Sequence, residues 1–196
     1  MILYFDTETS GLHPGQICQL SYVMQSGDEL LSRNFFFKVD DVEYSAFLVH
    51  GFSVEKLDYL SGGKRFCDFA EQIEKDFLSA DVVVAHNTSF DFMFMRAEFE
   101  RLNKTFCVNN EFCSMKNSTA LCKLPRSRGV GYKYPKLSEL CAFFGISNAN
   151  IERATEQLFG TKTGFHDARF DTSALVLVAN KGMKQTDAYQ EVLRFL

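Results

Sequence analysis

MILYFDTETSG, residues 1–11, decides how the rest of the chain is read. Ile2 to Phe5 is an apolar and aromatic run with the composition of a buried strand, and Asp6, Thr7, Glu8, Thr9, Ser10 and Gly11 break it abruptly. In extended backbone, residues two apart share a face, so Asp6 and Glu8 project side by side and Thr7 points the other way. Adjacent carboxylates repel unless a cation lies between them. A hard divalent ion that prefers oxygen ligands, magnesium or manganese, is the usual answer. The spacing alone is weak, because with 25 acidic residues in 196 about three such pairs arise by chance. Its place at the end of an apolar strand is what makes it a candidate site.

The 196 residues are enough to bury a full core, and a single domain spanning 1–196 is expected. The hydrophobic fraction of 46% is that of an ordinary globular protein, although 21 Phe with no Trp is an unusual aromatic balance. Six Cys are scattered without a CxxC pair and no charged-then-apolar leader opens the chain, which points to reduced thiols in a cytoplasmic protein. No Cys or His pair has the spacing of tetrahedral zinc ligands, and no apolar run approaches the ~20 residues that span a bilayer. A net charge of −4 argues against coating nucleic acid by charge alone. A site crowded with carboxylates lowers the pI by itself, and bound cations would reverse the field where a phosphate must approach.

Along the chain, Ile17 to Met24 and Leu30 to Phe37 read as two strands of a hairpin turned by Ser26, Gly27 and Asp28. Asp40 to Leu60 reads as short helical pieces around VHGFS, with Ser53 capping the second. Phe66 to Leu78 has the spacing of one amphipathic helix, followed by DVVVA, Asp81 to Ala85, a wholly apolar strand of the parallel, buried type. HNTSFD then opens a helix carrying Phe92, Met95, Phe99 and Leu102 on one face, with Asn87, Thr88 or Ser89 as cap and Asp91 in the first turn. A short strand within Phe106 to Cys113 and a helix near Met115 to Leu124 follow. Next comes the loop PRSRGVGYKYPK, and helices resume over Leu137 to Phe144, Asn148 to Leu158 and about Asp167 to Asn180. Thr186 is a candidate cap for a terminal helix. Strands first, then strand and helix in alternation, imply an α/β fold with a mixed sheet, whose sites collect at the carboxyl ends of strands. Asp6 with Glu8, and Asp91, fall there.

HDARFD supplies a third candidate. Five residues of helix turn through about 500°, leaving His166 and Asp171 about 140° apart, so the two share a site only if one lies off the helix. His166 in the Gly164 loop and Asp171 in the first turns satisfies that condition. Taken singly, His166 reads as a surface histidine, Asp171 as a solvated helix residue and Asp91 as a first-turn carboxylate favoured by the helix dipole.

Together, DTETSG, HNTSFD and HDARFD occur in the order and context of the three exonuclease motifs of the DEDDh family. The chain resembles that DnaQ-like family, to which the proofreading epsilon subunit of bacterial DNA polymerase III belongs, from Met1 to about Lys181, including VHGFS and KLSELCAFFGI. The resemblance implies a ribonuclease H-like fold, a mixed central sheet flanked by helices. It implies a 3′–5′ exonuclease that removes 5′-monophosphates from single-stranded DNA ends with two divalent cations, Mg²⁺ or Mn²⁺, about 4 Å apart. By the same resemblance Asp6, Glu8 and Asp171 would hold the first metal, Asp6 would bridge to the second and Asp91 would complete the site. His166 would take the proton from the attacking water.

The family's terminal-nucleotide contacts map onto Thr9, Ser10, Gly11, Leu12, Val49, His50, Phe52 and Phe90. Leu12 and Phe52 suit stacking on or wedging beside a base, while Phe52 and Phe90 equally suit plain core packing. His50 is expected to touch substrate rather than act as acid or base. The basic loop Lys123 to Lys136, with Tyr132 and Tyr134 interleaved, reads either as a solvated surface loop or as the lining of the incoming strand's path. Two alternatives stand beside the DNA exonuclease: an exoribonuclease trimming RNA 3′ ends, and a proofreading or scaffold subunit whose work is binding a polymerase. About fifteen residues follow the last motif helix, little room for a partner-binding tail, which weighs against the latter.

Overall fold

The structure, a computed structural model, describes Met1–Leu196. Five strands form one mixed sheet: β1 (Ile2–Thr9), β2 (Ile17–Ser26), β3 (Glu29–Phe36), β4 (Val82–Ala85) and β5 (Glu111–Cys113), in the order β3-β2-β1-β4-β5. The β1–β2–β3 meander is antiparallel, while β4 and β5 add on parallel to β1. Helices interleave in chain order as α1 (Tyr44–His50), α2 (Val54–Ser61), α3 (Ala70–Ser79), α4 (Thr88–Arg101), α5 (Ser114–Cys122), α6 (Leu137–Phe143), α7 (Asn148–Phe159), α8 (Ala168–Gln185) and α9 (Gln190–Arg194). This is a ribonuclease H-like fold.

The alternation of β1 divides the core. Ile2 and Tyr4 pack with the residues of α8 on one face, whereas Leu3 and Phe5 pack against α3 and α4 on the other. The second face absorbs much of the phenylalanine. The ring of Phe5 meets Phe77 edge-on at 5.1 Å and stacks on Phe92 at 5.7 Å, and Phe106 contacts Phe77, Phe92 and Phe99 at 5.5 Å each. Each element thus closes a core layer while its polar end projects beyond it.

Three local expectations are corrected. Phe66 to Leu78 is not one helix: the Asp68 carboxylate accepts the Arg65 N–H at 2.7 Å and closes a 3₁₀ turn over Phe66–Asp68, and α3 starts only after Phe69, whose φ of −121° is not helical. Asn87, at the cap position of α4, has a left-handed backbone with φ +86° and makes no side-chain capping bond. Thr186 likewise caps nothing, because its hydroxyl donates back to the Gly182 carbonyl. The Ser53 cap is present, accepting the Lys56 N–H at 3.2 Å.

His86, directly after β4, ties three elements together. One ring nitrogen, Nε2, faces the Pro135 carbonyl at 3.0 Å, and Nδ1 faces the Ser114 hydroxyl at 2.9 Å, an arrangement that suits a neutral ring donating from Nε2. Burial pushes its pKa down to about 4, with the Pro135 bond opposing the shift. The neutral ring therefore supports the fold above the ordinary value of about 6.5, and that support is lost as pH falls toward 4. An NMR titration should place the His86 ring midpoint near 4, with assignment by His86→Gln. A midpoint near 6.5 would contradict this packing.

Gly182 lies in α8 where the buried Tyr189 ring crosses it, and a Cβ there would fall 2.5 Å from the ring. The ring cannot retreat, since its hydroxyl is 2.9 Å from Ser118 and Phe112 packs on it at 5.0 Å. Gly182→Ala gains about 1 kcal/mol of helix propensity against about 1–3 kcal/mol of overpacking. The expected result in urea unfolding is a net loss of stability, and a more stable variant would show the contact to be loose.

Candidate active site

The alternation that splits the core also builds the site. Asp6 and Glu8 follow Tyr4 on the face covered by α8, and Asp171 lies in the first turn of that helix. Carboxylate oxygens of Asp6, Glu8 and Asp171 all lie within 4.8 Å of one another. The β1–β2 register slips between Glu8 and Thr9, so the strand bends away immediately after the second acid. Thr7 points to the opposite face, as its place in the alternation requires, and its hydroxyl donates to Asp91 Oδ1 at 2.8 Å. Asp91 thus joins the site from the α4 side, close enough for its charge to act on Asp6 and Glu8 but outside the group of three.

Burial and mutual repulsion disfavour ionising these groups. Asp6 is held well above the usual carboxylate range, first by burial and then by the charges of Asp171, Asp91 and Glu8. Glu8 is pushed up to about 9, again first by burial. Asp91 and Asp171 rise to about 7, burial outweighing the Thr7 hydroxyl in the first case and the His166 N–H in the second. Asp171 Oδ1 is buried with no hydrogen-bond partner. Clustered carboxylates with an unused buried oxygen are a donor set that fits hard divalent cations.

His166 is exposed and lies just before α8, in left-handed backbone with φ +66°. Its N–H donates to Asp171 Oδ2 at 3.1 Å, which satisfies the geometric condition read from HDARFD. A clamp missing from the sequence reading holds this arm. Asp167 caps α8, and its Oδ1 accepts from the Arg169 N–H, from Arg169 Nε at 2.8 Å and from Gln19 Nε2 at 3.0 Å. Gln19 Oε1 in turn accepts the Ala168 N–H at 3.1 Å. Asp167 remains ionised, its pKa lowered because Arg169 and Gln19 outweigh burial. The available signals were Gln19 and Ser21, two polar residues inside the otherwise apolar strand ICQLSYVM, and a helix-capping Asp beside the candidate histidine.

Next to Glu8 a concavity of about 270 Å³ is lined by Thr7, Glu8, Thr9, Gly11, Leu12, Ser45, Ala46, Val49 and Phe90. Leu12 and Val49 are exposed there. Ser10 turns elsewhere, its hydroxyl accepting the Gln16 N–H. Phe52, which suited a base stack and core packing equally, is buried in a small cluster with Cys18, Val39 and Leu57. It stacks under His50 at 5.0 Å instead. His50 Nδ1 accepts the Phe52 N–H at 3.0 Å, which leaves Nε2 to donate to the Thr9 carbonyl at 3.1 Å. His50 therefore secures the turn after β1, and burial, the main cause, lowers its pKa.

Sequence and structure comparisons place the whole chain among exonucleases. The sequence model of the RNase T exonuclease family matches residues 3–179. DNA polymerase III subunit epsilon of Rickettsia conorii is 29% identical over 153 residues, covering 75% of this chain and 63% of that protein. The Escherichia coli epsilon subunit is 29% identical over 159 residues, covering 75% and 61%. The chain thus spans just over three-fifths of the length of these relatives. Among solved structures, the Escherichia coli ExoI–ssDNA complex superposes with a TM-score of 0.65 at 18% identity, covering 98% of this chain and 42% of that one. The nuclease domain of 3′hExo, a DEDDh family member bound to rAMP, superposes with a TM-score of 0.62 at 12% identity, covering 96% and 93%. With that family model spanning residues 3–179, most of its length, the chain belongs to the RNase T exonuclease family.

Proposed function

We propose that residues 1–196 form one exonuclease domain that releases nucleoside 5′-monophosphates from the 3′ ends of single-stranded DNA. The observation that carries this reading is the convergence of Asp6, Glu8 and Asp171 within 4.8 Å, with one buried oxygen of Asp171 unpartnered. Asp6, Glu8 and Asp171 would hold one divalent cation, and Asp6 with Asp91 a second. When bound, Mg²⁺ or Mn²⁺ would neutralise the phosphodiester anion and lower the pKa of a water, so that its deprotonated form can attack phosphorus. His166, exposed on an arm fixed through its backbone to Asp171, takes the proton of the attacking water at a ring nitrogen. Leu12, Val49 and Phe90 wall the concavity that takes the terminal nucleotide, and Thr9 and Gly11 form its floor. Ser10 and His50 act indirectly, by shaping the turn that carries those residues, and Phe52 acts by supporting His50.

The choice of DNA is supported by relatives named as subunits of DNA polymerase III, and that of the 3′ end by the resemblance that DTETSG, HNTSFD and HDARFD carry. Binding to a polymerase is a second reading favoured by the same names, and co-purification tests it.

A 3′-labelled single strand, a duplex and an RNA strand, each incubated with Mg²⁺, Mn²⁺ or chelator, test the reaction. Labelled 5′-monophosphate should appear fastest from the DNA single strand and vanish with chelator. His166→Ala should slow release by about 10²–10⁴-fold. Wild-type rates in His166→Ala or in Asp6→Ala, or internal cleavage, would contradict the proposal.

Thermal unfolding gives a reading independent of turnover. Mn²⁺ should raise the wild-type Tm by mass action, and Asp171→Asn should lose most of that shift. An equal shift in both proteins would place the ion elsewhere.

A further inference from the structure

Between Lys123 and Ser138 the chain carries Lys123, Arg126, Arg128, Lys133 and Lys136 and no acidic residue, in a protein of net charge −4. This segment is a built hairpin rather than slack chain. Pro125 bridges Tyr132, the Lys133 N–H donates to the Leu124 carbonyl at 2.9 Å, and Arg126 Nε donates to the Tyr132 carbonyl at 3.0 Å. Gly129 and Gly131, with φ of +82° and +99°, turn the tip around Val130, which is 96% exposed. Glu139 neutralises Lys133 alone, at 2.5 Å. Arg126 and Arg128 flank an open concavity together with Ser127 and Tyr134, and the Tyr132 and Tyr134 rings stay exposed.

The hairpin is anchored at the carboxyl end of the sheet, where the acids gather. Its returning strand ends at Pro135, whose carbonyl is held by His86, the residue after β4. A further cation stands near Asp91: Lys116, exposed on α5, donates to the hydroxyl of Ser89, two residues before Asp91, at 3.0 Å. Like-charged side chains held on an ordered arm repel one another, and four of the five have no carboxylate partner. Fixed cations interleaved with exposed planar rings match a single nucleic-acid strand, whose phosphates meet the cations and whose bases stack on the rings.

We propose that the Lys123–Lys136 hairpin grips the phosphate backbone of the substrate strand upstream of the nucleotide being removed. Arg126 and Arg128 are its principal contacts. This rests on the exonuclease reading above and adds the path of the strand to it. The acidic end of the sheet handles the scissile phosphate, while the basic arm handles phosphates that do not react.

Two substrates separate these tasks: a 12-nucleotide DNA strand, and the p-nitrophenyl ester of thymidine 5′-monophosphate, which is too short to reach the hairpin. In Arg126→Ala/Arg128→Ala, kcat/KM for the 12-mer should fall at least tenfold at low salt through KM, with kcat and the ester rate unchanged. The slope of log(kcat/KM) against log[salt] should flatten by about 1.4, the share of two single-strand phosphates. Lys123→Glu/Arg128→Glu spares the Arg126 bond that closes the hairpin and should act in the same direction, with an unchanged Tm. An active ester assay with unchanged 12-mer kinetics in both variants would overturn the proposal. So would loss of a co-purifying protein with strand kinetics intact, which would assign the arm to a protein partner. If the wild type cleaves neither substrate, the exonuclease reading itself fails and the hairpin proposal fails with it.

Discussion

Repulsion among buried carboxylates is the constraint around which the rest of the structure is arranged. Asp6, Glu8, Asp91 and Asp171 sit where burial and proximity both oppose their charges, and each has its pKa displaced upward. Such a cluster persists only if the surrounding core is rigid enough to hold it. Here the aromatic layer under Phe5 and the α8 layer over Tyr4 clamp β1 from both faces, so the end of the strand has no freedom to relax. The cost is local, and a bound cation would offset it.

How the acids meet follows from period-two geometry. Asp6 and Glu8 face α8 and its Asp171, while Thr7 faces α4 and its Asp91. One strand therefore addresses both flanking helices with consecutive residues. The fold itself is shared with solved structures at only 12–18% identity, so it is carried by the pattern of strands and helices rather than by overall sequence. Around it, the chain's own choices differ in kind. The Gln19–Asp167–Arg169 clamp is neutral-to-ionic and buried, and it holds the His166 arm from the β2 side.

Much of this was legible in the residues. The apolar run before Asp6, the buried strand DVVVA and the Gly164 loop before HDARFD are local signals, and each element lies where its pattern put it. What was not legible depends on partners distant in sequence. Phe52 suited a base stack and core packing equally from its residues, and contacts with Phe36 and Leu57 decide for the core. Gln19 lies within the strand Ile17 to Met24, and the partner that gives it a role, Asp167, is 148 residues away. The break at Phe69 was hidden because apolar spacing runs through it, and it shows only in the 3₁₀ turn Phe66–Asp68 and the non-helical backbone of Phe69. Periodicity reports which face is buried, not which polar groups meet across it.

The central claim is that Asp6, Glu8 and Asp171 form the seat of a divalent cation. The most direct measurement is anomalous diffraction from crystals grown with Mn²⁺. The account predicts a manganese peak bounded by those three carboxylates, in contact with the oxygen of Asp171 that has no protein partner. Ordered carboxylates with no peak between them, or a manganese ion bound only elsewhere, would contradict it.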